Sequence, residues 1–201
     1  MTSAYFSGSS EAGPRSAGKI LGAARTVLSQ QGYPGLTIEA VAAEAGVGKS
    51  TIYRWWPNKE ALIADALAQV FRADEIPDLG DTHAELRQAV DMTISNYDND
   101  EMAASLPALA VGLLPNPDLM ARFREVFLLR KRENIAVALR RAADRGDLPH
   151  DVDTDLVQDV WAGTILYRRL MTGEVLDEHL AEHLVKIVTA SPEQFSHKSC
   201  P

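Results

Sequence analysis

Hydroxyl, guanidinium and amine groups are concentrated in one short segment of the chain, at Ser50, Thr51, Tyr53, Arg54 and Lys59. Hydroxyls can contact base edges or phosphates, and the Arg54 guanidinium can form two hydrogen bonds to a guanine. The Tyr53 hydroxyl can donate to a phosphate, and the Lys59 amine can pair with another phosphate. The chemistry that these groups offer is therefore recognition of nucleic acid.

A helix-turn-helix is the element that would position these groups. Thr37 is a good N-cap for a helix, and Gly46 can adopt the left-handed backbone that ends it. A second short helix is predicted from Lys49 to Trp56, because Pro57 cannot continue the hydrogen-bond ladder. In such a unit the second helix can lie in the major groove of DNA, which is about 12 Å wide.

The rest of the chain also follows helical periodicity, and it shows no strand-like alternation of apolar and polar residues. The sequence therefore predicts an all-α fold. It comprises an N-terminal three-helix helix-turn-helix domain over residues 15–60 and a C-terminal α-helical bundle over residues 61–190. The first helix is expected to end at Gly32. Residues 1–14 are predicted to be disordered, and residues 191–201 form a C-terminal tail.

Charge is divided unevenly along the chain. Six basic and two acidic residues between Arg15 and Lys59 give this segment a net charge of +4, which leaves −12 for the remainder of a chain whose total is −8. Such a division is typical of a phosphate-facing end on an acidic body, although ordinary unevenness of surface charge would also produce it.

Composition points to an ordinary globular protein, with 46% hydrophobic and 24% charged residues. No apolar run approaches the roughly 18 residues of a membrane span, and the N-terminus lacks the basic start of a secretory signal. Cys200 is the only cysteine and cannot build a disulfide framework. We therefore expect a cytoplasmic protein without a membrane partner.

Two enzyme-like motifs have to be weighed against this interpretation. Gly48-Lys49-Ser50 resembles the end of a P-loop, but the position of its first glycine is Ala43, and a P-loop follows a buried strand. The segment His179–His183 matches the zinc-protease pattern H-x-x-E-H, yet it lies on an amphipathic helix in which solvated histidines are the simpler expectation. The sequence thus predicts no metal, no cofactor and no enzyme, with a P-loop-like nucleotide-binding enzyme as the disfavoured alternative.

The segment from about Ser16 to Leu67 resembles the tetracycline-repressor (TetR) family of transcriptional regulators. Many positions agree in fixed register, namely the link 32–37, the run 41–47, Lys49, Ile52, Tyr53, Trp56 and the run 58–62. The family more often has phenylalanine at position 56, where the larger ring of tryptophan is still expected to pack. The resemblance implies that Thr37, Tyr53 and Lys59 contact phosphates and that Lys49, Ser50, Thr51 and Arg54 face the groove.

The same resemblance implies that the C-terminal bundle binds a small molecule. Pro107 should bend its helix, and bent helices leave gaps between neighbours in which an apolar pocket can form. The candidate lining residues are Asn96, Tyr97, Met102, Leu106, Leu109, Phe123, Phe127, Trp161, Thr164 and Tyr167. The alternative, that any one of them belongs to the core or to an interface, stays open.

The family resemblance also implies dimerisation through the last two helices. Their apolar faces are too extensive for the core of one chain, and pairing across a two-fold axis would give a four-helix bundle. The predicted interface residues are Leu156, Val160, Leu166, Leu170, Leu180, Leu184, Ile187 and Val188.

Taken together, the residues and the resemblance predict a ligand-responsive transcriptional regulator. We expect a repressor that binds a palindromic operator in double-stranded DNA as a homodimer and is released by a small apolar or aromatic effector. A DNA-binding activator, or an architectural protein without an effector, is the alternative within the same class.

Overall fold

The computed structural model of the protein describes residues 16–71, 73–98 and 115–197. The helices in these ranges, numbered in chain order, are α1 (Ala17–Gly35), α2 (Ile38–Ala45), α3 (Lys49–Tyr53), α4 (Lys59–Ala68), α5 (Thr82–Asp98), α6 (Pro117–Phe123), α7 (Leu129–Asp144), α8 (Thr154–Tyr167) and α9 (Glu178–Ala190). The only β-type pairing there is an isolated bridge between Val152 and Ser196. The predicted all-α fold is confirmed.

The N-terminal unit is built from α1 to α4, with α1 packed against both α2 and α4. Its helix ends follow the predicted capping chemistry. The Thr37 side chain accepts a hydrogen bond from the Ala40 N–H at the start of α2, and Asn58 accepts one from the Ala61 N–H at the start of α4. Gly46 ends α2 with φ of 63°, in the left-handed region that favours glycine.

The two helix ends at issue have different outcomes. The regular helix of α1 breaks at Gly32, as predicted, because Gly32 has the non-helical φ of 69° and ψ of 177°, and a short helical segment continues beyond it to Gly35. Helix α3, in contrast, ends at Tyr53, three residues earlier than expected, and residues 54–55 form a turn. Pro57 accounts for the exclusion of Trp56 from the helix, since a proline disfavours helical backbone in the residue before it.

The C-terminal unit is a bundle in which α5 packs against α7, α8 and α9. A π-helical turn, Arg124–Leu128, joins α6 to α7, and another, Arg168–Thr172, extends α8. Glu85 fastens α5 to α7, because its fully buried carboxylate accepts hydrogen bonds from Arg141 at 2.9 Å and Arg145 at 3.1 Å. Burial alone would raise the pKa of Glu85, but the two guanidinium groups outweigh it and lower that pKa.

The segment predicted as a C-terminal tail, residues 191–201, begins with an ordered turn. Pro192–Phe195 form a 3₁₀ turn, and Phe195 is buried. The Asp153 N–H donates to the Phe195 carbonyl at 2.6 Å, which attaches this turn to the start of α8. Residues 1–14, predicted as a disordered tail, lie outside the described residues. None of the described helices combines the length and the apolar character needed to cross a membrane.

Candidate DNA-binding surface and ligand core

Helix α3 presents polar side chains outward while one apolar side chain holds it in place. Ile52 is fully buried beneath it, and Ser50, Tyr53 and Arg54 are exposed, Tyr53 with 52% of its surface accessible. Thr51 is half-buried. The predicted groups therefore share an outward surface at a helix-turn-helix, where contact with a DNA groove is sterically possible.

Lys49 and Thr37 each already have a partner within the chain. The Lys49 ammonium lies 3.0 Å from the Glu39 carboxylate, in an ion pair that is exposed on both sides. The hydrogen bond from Lys49 lowers the pKa of Glu39. An exposed pair of this kind is weak, so Lys49 can exchange the carboxylate for a phosphate.

Lys59 lies at the start of α4, within a polar contact between the two units. Its ammonium lies 4.1 Å from the centre of the Tyr33 ring. The Tyr33 hydroxyl donates to Glu60 at 2.8 Å and accepts from the Asn116 amide at 2.6 Å. Burial, followed by the bond to Glu60, raises the pKa of Tyr33 to about 12. Asn116 also caps α6 by accepting from the Leu119 N–H.

A second polar contact joins α4 to α6. The indole N–H of Trp56 donates to Asp65 at 2.9 Å, and Arg122 of α6 lies 3.6 Å from the other oxygen of that carboxylate. The Arg122 Nε is buried without a hydrogen-bond partner in the described part of the chain. A cavity of about 240 Å³ opens beside these groups. We call the contacts made by Asn116 and Arg122 the α4–α6 junction.

The two enzyme-like motifs lie in different surroundings from those their chemistry requires. Gly48-Lys49-Ser50 follows the end of α2 and leads into the five-residue α3, whereas a P-loop connects a strand to a long helix. In α9, His179 and His183 are exposed, and the His183 ring contacts the His179 carbonyl at 2.6 Å. Within the described ranges, no group of three or more histidine, cysteine or acidic side chains could hold a metal ion.

Four aromatic side chains meet where α4, α5 and α6 converge. Phe71 stacks on Phe127 with ring centres 3.8 Å apart, and it makes edge contacts with Tyr97 at 6.1 Å and Phe123 at 5.8 Å. We call these four residues the aromatic cluster. It includes three of the predicted pocket residues, and Phe71 is an addition that the sequence analysis missed because it follows the end of α4.

Lys131 is the second residue that the sequence analysis missed. It lies in α7 on the buried stripe that continues through Ile135 and Leu139, and only 4% of its surface is exposed. Its ammonium lies 5.7 Å from the centre of the Tyr97 ring. Its position four residues before Ile135, on the apolar stripe of an amphipathic helix, is the signal that could have identified it.

The other predicted pocket residues are scattered. Asn96 and Trp161 are buried, and the Trp161 indole donates to the Leu184 carbonyl at 3.0 Å. Thr164 donates to a carbonyl of its own helix, and Tyr167 is 61% exposed. Tyr167 is therefore a surface residue in this chain. Met102, Leu106 and Leu109 lie outside the described residues.

The predicted dimer residues divide into two groups. Leu156, Leu170 and Ile187 are exposed, and Val160 and Leu166 are partly exposed. Three others are buried in the core of the chain itself, so they do not belong to its surface: Leu180, Leu184 and Val188. Additional exposed apolar side chains adjoin the first group at Tyr167, Met171 and Val175.

An exposed polar recognition helix on an all-α scaffold is the architecture of the helix-turn-helix transcriptional regulators. Residues 20–66 match the family described as "Bacterial regulatory proteins, tetR family", and residues 76–188 match "Tetracyclin repressor-like, C-terminal domain". The chain belongs to the TetR family of DNA-binding transcriptional regulators, as predicted.

Relatives and solved structures agree with this assignment. A protein of Mycobacteroides abscessus described as "DNA-binding transcriptional repressor TetR" is 31% identical, over 83% of this chain and 87% of its own length. The HTH-type transcriptional regulator YdeS of Bacillus subtilis is 28% identical, over 83% of this chain and 84% of its own. The crystal structure of the TetR family transcription regulator SCO0332 superposes with a TM-score of 0.65 at 28% identity, covering 88% of this chain and 98% of that one. The fold is also that of FadR from Bacillus subtilis, solved in complex with stearoyl-CoA, at 20% identity and a TM-score of 0.67, over 86% of this chain and 97% of FadR.

Proposed function

We propose that this regulator acts in the cytoplasm as a homodimeric repressor, which binds a palindromic operator and is released from it by a small effector. The observation that carries the proposal is α3, whose Ser50, Tyr53 and Arg54 extend outward from a helix fixed by the buried Ile52. Arg54 would contact bases, and Tyr53 would contact the phosphate backbone together with Thr37, Lys49 and Lys59.

Dimerisation is supported by the apolar surface of α8, its π-helical extension and α9. One helix-turn-helix contacts too few base pairs for useful specificity, whereas a two-fold dimer contacts two half-sites. The exposed side chains of Leu156, Leu170 and Ile187, with Met171 at 73% exposure, supply the apolar surface that such an interface needs.

Release by an effector is supported by the position of the aromatic cluster. Its Phe123 and Phe127 belong to α6 and the π-helical turn, and the same α6 contacts α4 through Asn116 and Arg122. A ligand that separates or tightens the aromatic cluster would shift α6. Through the α4–α6 junction, this shift would change the orientation of α3. Ligand and operator would then be linked through their different affinities for two states.

Selection of bound duplexes from a random DNA library, followed by footprinting, tests this proposal. The purified protein should enrich a sequence with two-fold symmetry, whose half-sites lie about 10 base pairs or a multiple of that apart. A variant with Ser50, Tyr53 and Arg54 changed to alanine should enrich none. An enriched site without symmetry would contradict the dimeric mode, and equal enrichment by the variant would contradict the role of α3.

A further inference from the structure

Lys131 is a buried cation in the middle of an apolar helix face. Helix α7 directs Ile135, Leu139 and Ala142 into the core of the bundle, and Lys131 occupies the same stripe one turn earlier. Its side chain passes beside the aromatic cluster, with the ammonium 5.7 Å from the centre of the Tyr97 ring. An amine in this position faces the region in which we propose that the effector binds.

Several arginines in α7 and at its C-terminal end have carboxylate partners. Arg132 pairs with Asp155 and Asp159 at 2.7 Å each. Arg141 and Arg145 share the buried Glu85. Lys131, by contrast, makes no ion pair with a carboxylate among the residues that the structure describes, and its interaction there is with the face of a ring. It is more deeply buried than any of these arginines.

A buried ammonium that meets no carboxylate within the described ranges is costly to keep charged. Desolvation, with a smaller contribution from the charge of Arg132, lowers the pKa of Lys131 from 10.5 to about 8. At neutral pH the amine is therefore still mainly protonated, although burial disfavours its charge. A cation–π contact offsets only part of that cost, and a hydrogen-bonded carboxylate beside the amine would offset more of it.

We infer that Lys131 binds the anionic group of the effector, and that the aromatic cluster receives its apolar body. The ligand class is a small monoanion, such as a carboxylate, on an aliphatic or aromatic scaffold. This inference rests on the proposed function, since it assigns the chemistry of the effector that the C-terminal bundle is proposed to bind.

Tyr97 brings no negative charge to this amine. Burial raises the pKa of Tyr97 to about 12, so its phenol stays protonated at neutral pH and does not compete with a bound anion. Arg132 points away to its two aspartates. Tyr97 from α5 and Arg132 from α7 itself are the titratable or charged groups that the described residues place around this amine. An ammonium with only an uncharged ring and a paired guanidinium around it suits a carboxylate.

Matched ligand pairs test the inference directly. Decanoate and decanamide, and 2-naphthoate and 2-naphthamide, differ in charge but hardly in shape. Calorimetric titration at pH 7 should show each acid binding the wild-type protein at least roughly tenfold more tightly than its amide. K131M, which keeps a long unbranched side chain without the charge, should lose this preference. K186M, which removes an exposed lysine of α9, should retain it.

A proton count provides a second readout. Because the anion favours the charged amine, binding at pH 8 should take up a fraction of a proton, measurable by titration in buffers of different ionisation enthalpy. K131M should show no such uptake with the same acid.

The outcomes separate this inference from the proposed function. If the amides bind as tightly as the acids and both displace selected operator DNA, the regulator responds to effectors but the role of Lys131 is refuted. The same conclusion follows if K131M keeps the preference for acids. If none of the four compounds binds or affects operator affinity while the dimer still selects a palindrome, the anionic effector is refuted and operator recognition stands.

Discussion

Ile52 and Tyr53 are neighbours in α3 with opposite surroundings. Ile52 is fully buried, whereas Tyr53 is 52% exposed, and Arg54 beside it is also exposed. Because Ile52 holds the helix against the core, the side chains of Tyr53 and Arg54 can be changed without loosening it. Variants at these two positions therefore report on contacts with DNA and leave the fold intact.

Removing the Tyr53 and Arg54 side chains should change DNA binding in two different ways. Tyr53→Ala loses a phosphate hydrogen bond of about 1 kcal/mol, which for both subunits amounts to a roughly 30-fold loss of affinity on every sequence. Arg54→Ala should cost more on the selected operator, about 1–3 kcal/mol per half-site, and should also relax the base preference. Fluorescence anisotropy with selected and scrambled duplexes distinguishes the two patterns.

Gln30→Ala, an exposed change on α1, is the control. Unchanged affinity in both variants would contradict the assignment of α3.

Lys131 should make the stability of the unliganded protein depend on pH in a defined window. Its pKa is lowered from 10.5 to about 8 on folding, so between these values the unfolded chain binds more protons and stability rises with pH. Below pH 8 the full penalty applies, about 3 kcal/mol for 2.5 pKa units. K131M should therefore be more stable than wild type at pH 7 and lose that advantage by pH 10.5.

Urea unfolding of both proteins from pH 7 to pH 10.5 measures this difference, and taking the difference removes the contribution of the other titrating groups. K186M should follow wild type throughout, because Lys186 is exposed. A constant offset between K131M and wild type would show that the amine is not desolvated.

At the scale of helices, local chemistry made several ends predictable. Thr37, Gly46 and Asn58 act on backbone groups within four residues of themselves, so the residue type alone indicates the cap. The exposure of Ser50 and Arg54 and the burial of Ile52 likewise follow from helical spacing around a turn of known geometry. For this reason, the sequence was enough to predict which side chains of α3 are exposed.

Contacts across long sequence separations could not be predicted in the same way. The hydrogen bond from Asn116 to Tyr33 spans 83 residues, and no local pattern indicates it. Leu184 and Val188 form a clear apolar stripe, but amphipathicity does not say whether the covering surface belongs to the same chain or to a partner. Here it is the same chain that buries both.

The α4–α6 junction should transmit the effector signal, and Asn116 tests it. Asn116→Ala removes the cap of α6 together with the hydrogen bonds to Tyr33 and Glu60. We expect a loss of about 1 kcal/mol in stability and a smaller shift of operator affinity on adding effector. Thermal unfolding and anisotropy with and without ligand measure the two effects.

Asp153→Ala is the matched control for this experiment. It also removes an N-cap, that of α8, but it lies outside the α4–α6 junction. It should lose similar stability and keep the full response to effector. If both variants respond alike, the effect of Asn116→Ala comes from lost stability and not from coupling.

At the scale of the whole molecule, charge and apolar surface occupy separate parts of the chain. The segment 15–59 carries +4 against −12 for the rest, so the acidic bundle disfavours any contact with DNA other than through the helix-turn-helix. The exposed apolar side chains of α8 and α9 are distant in sequence from that segment. The basic end of the chain is thus suited to phosphate, and the apolar surface near the other end is the one that we propose for pairing with a second copy.

A charge placed on the apolar surface should separate the dimer without unfolding its subunits. Leu156 and Ile187 are 43% and 48% exposed in the single chain, so glutamate at both positions remains solvated in a monomer but would be buried without a partner in an interface. Light scattering at micromolar concentration should give the mass of one chain for the double variant and of two chains for wild type. Operator affinity should fall at least roughly 100-fold, since one half-site contributes only part of the binding energy.

Val137→Glu is the control, because it places the same charge on an exposed apolar position of α7 and should leave the dimer intact. A double variant that remains dimeric would show that the subunits associate through a different surface.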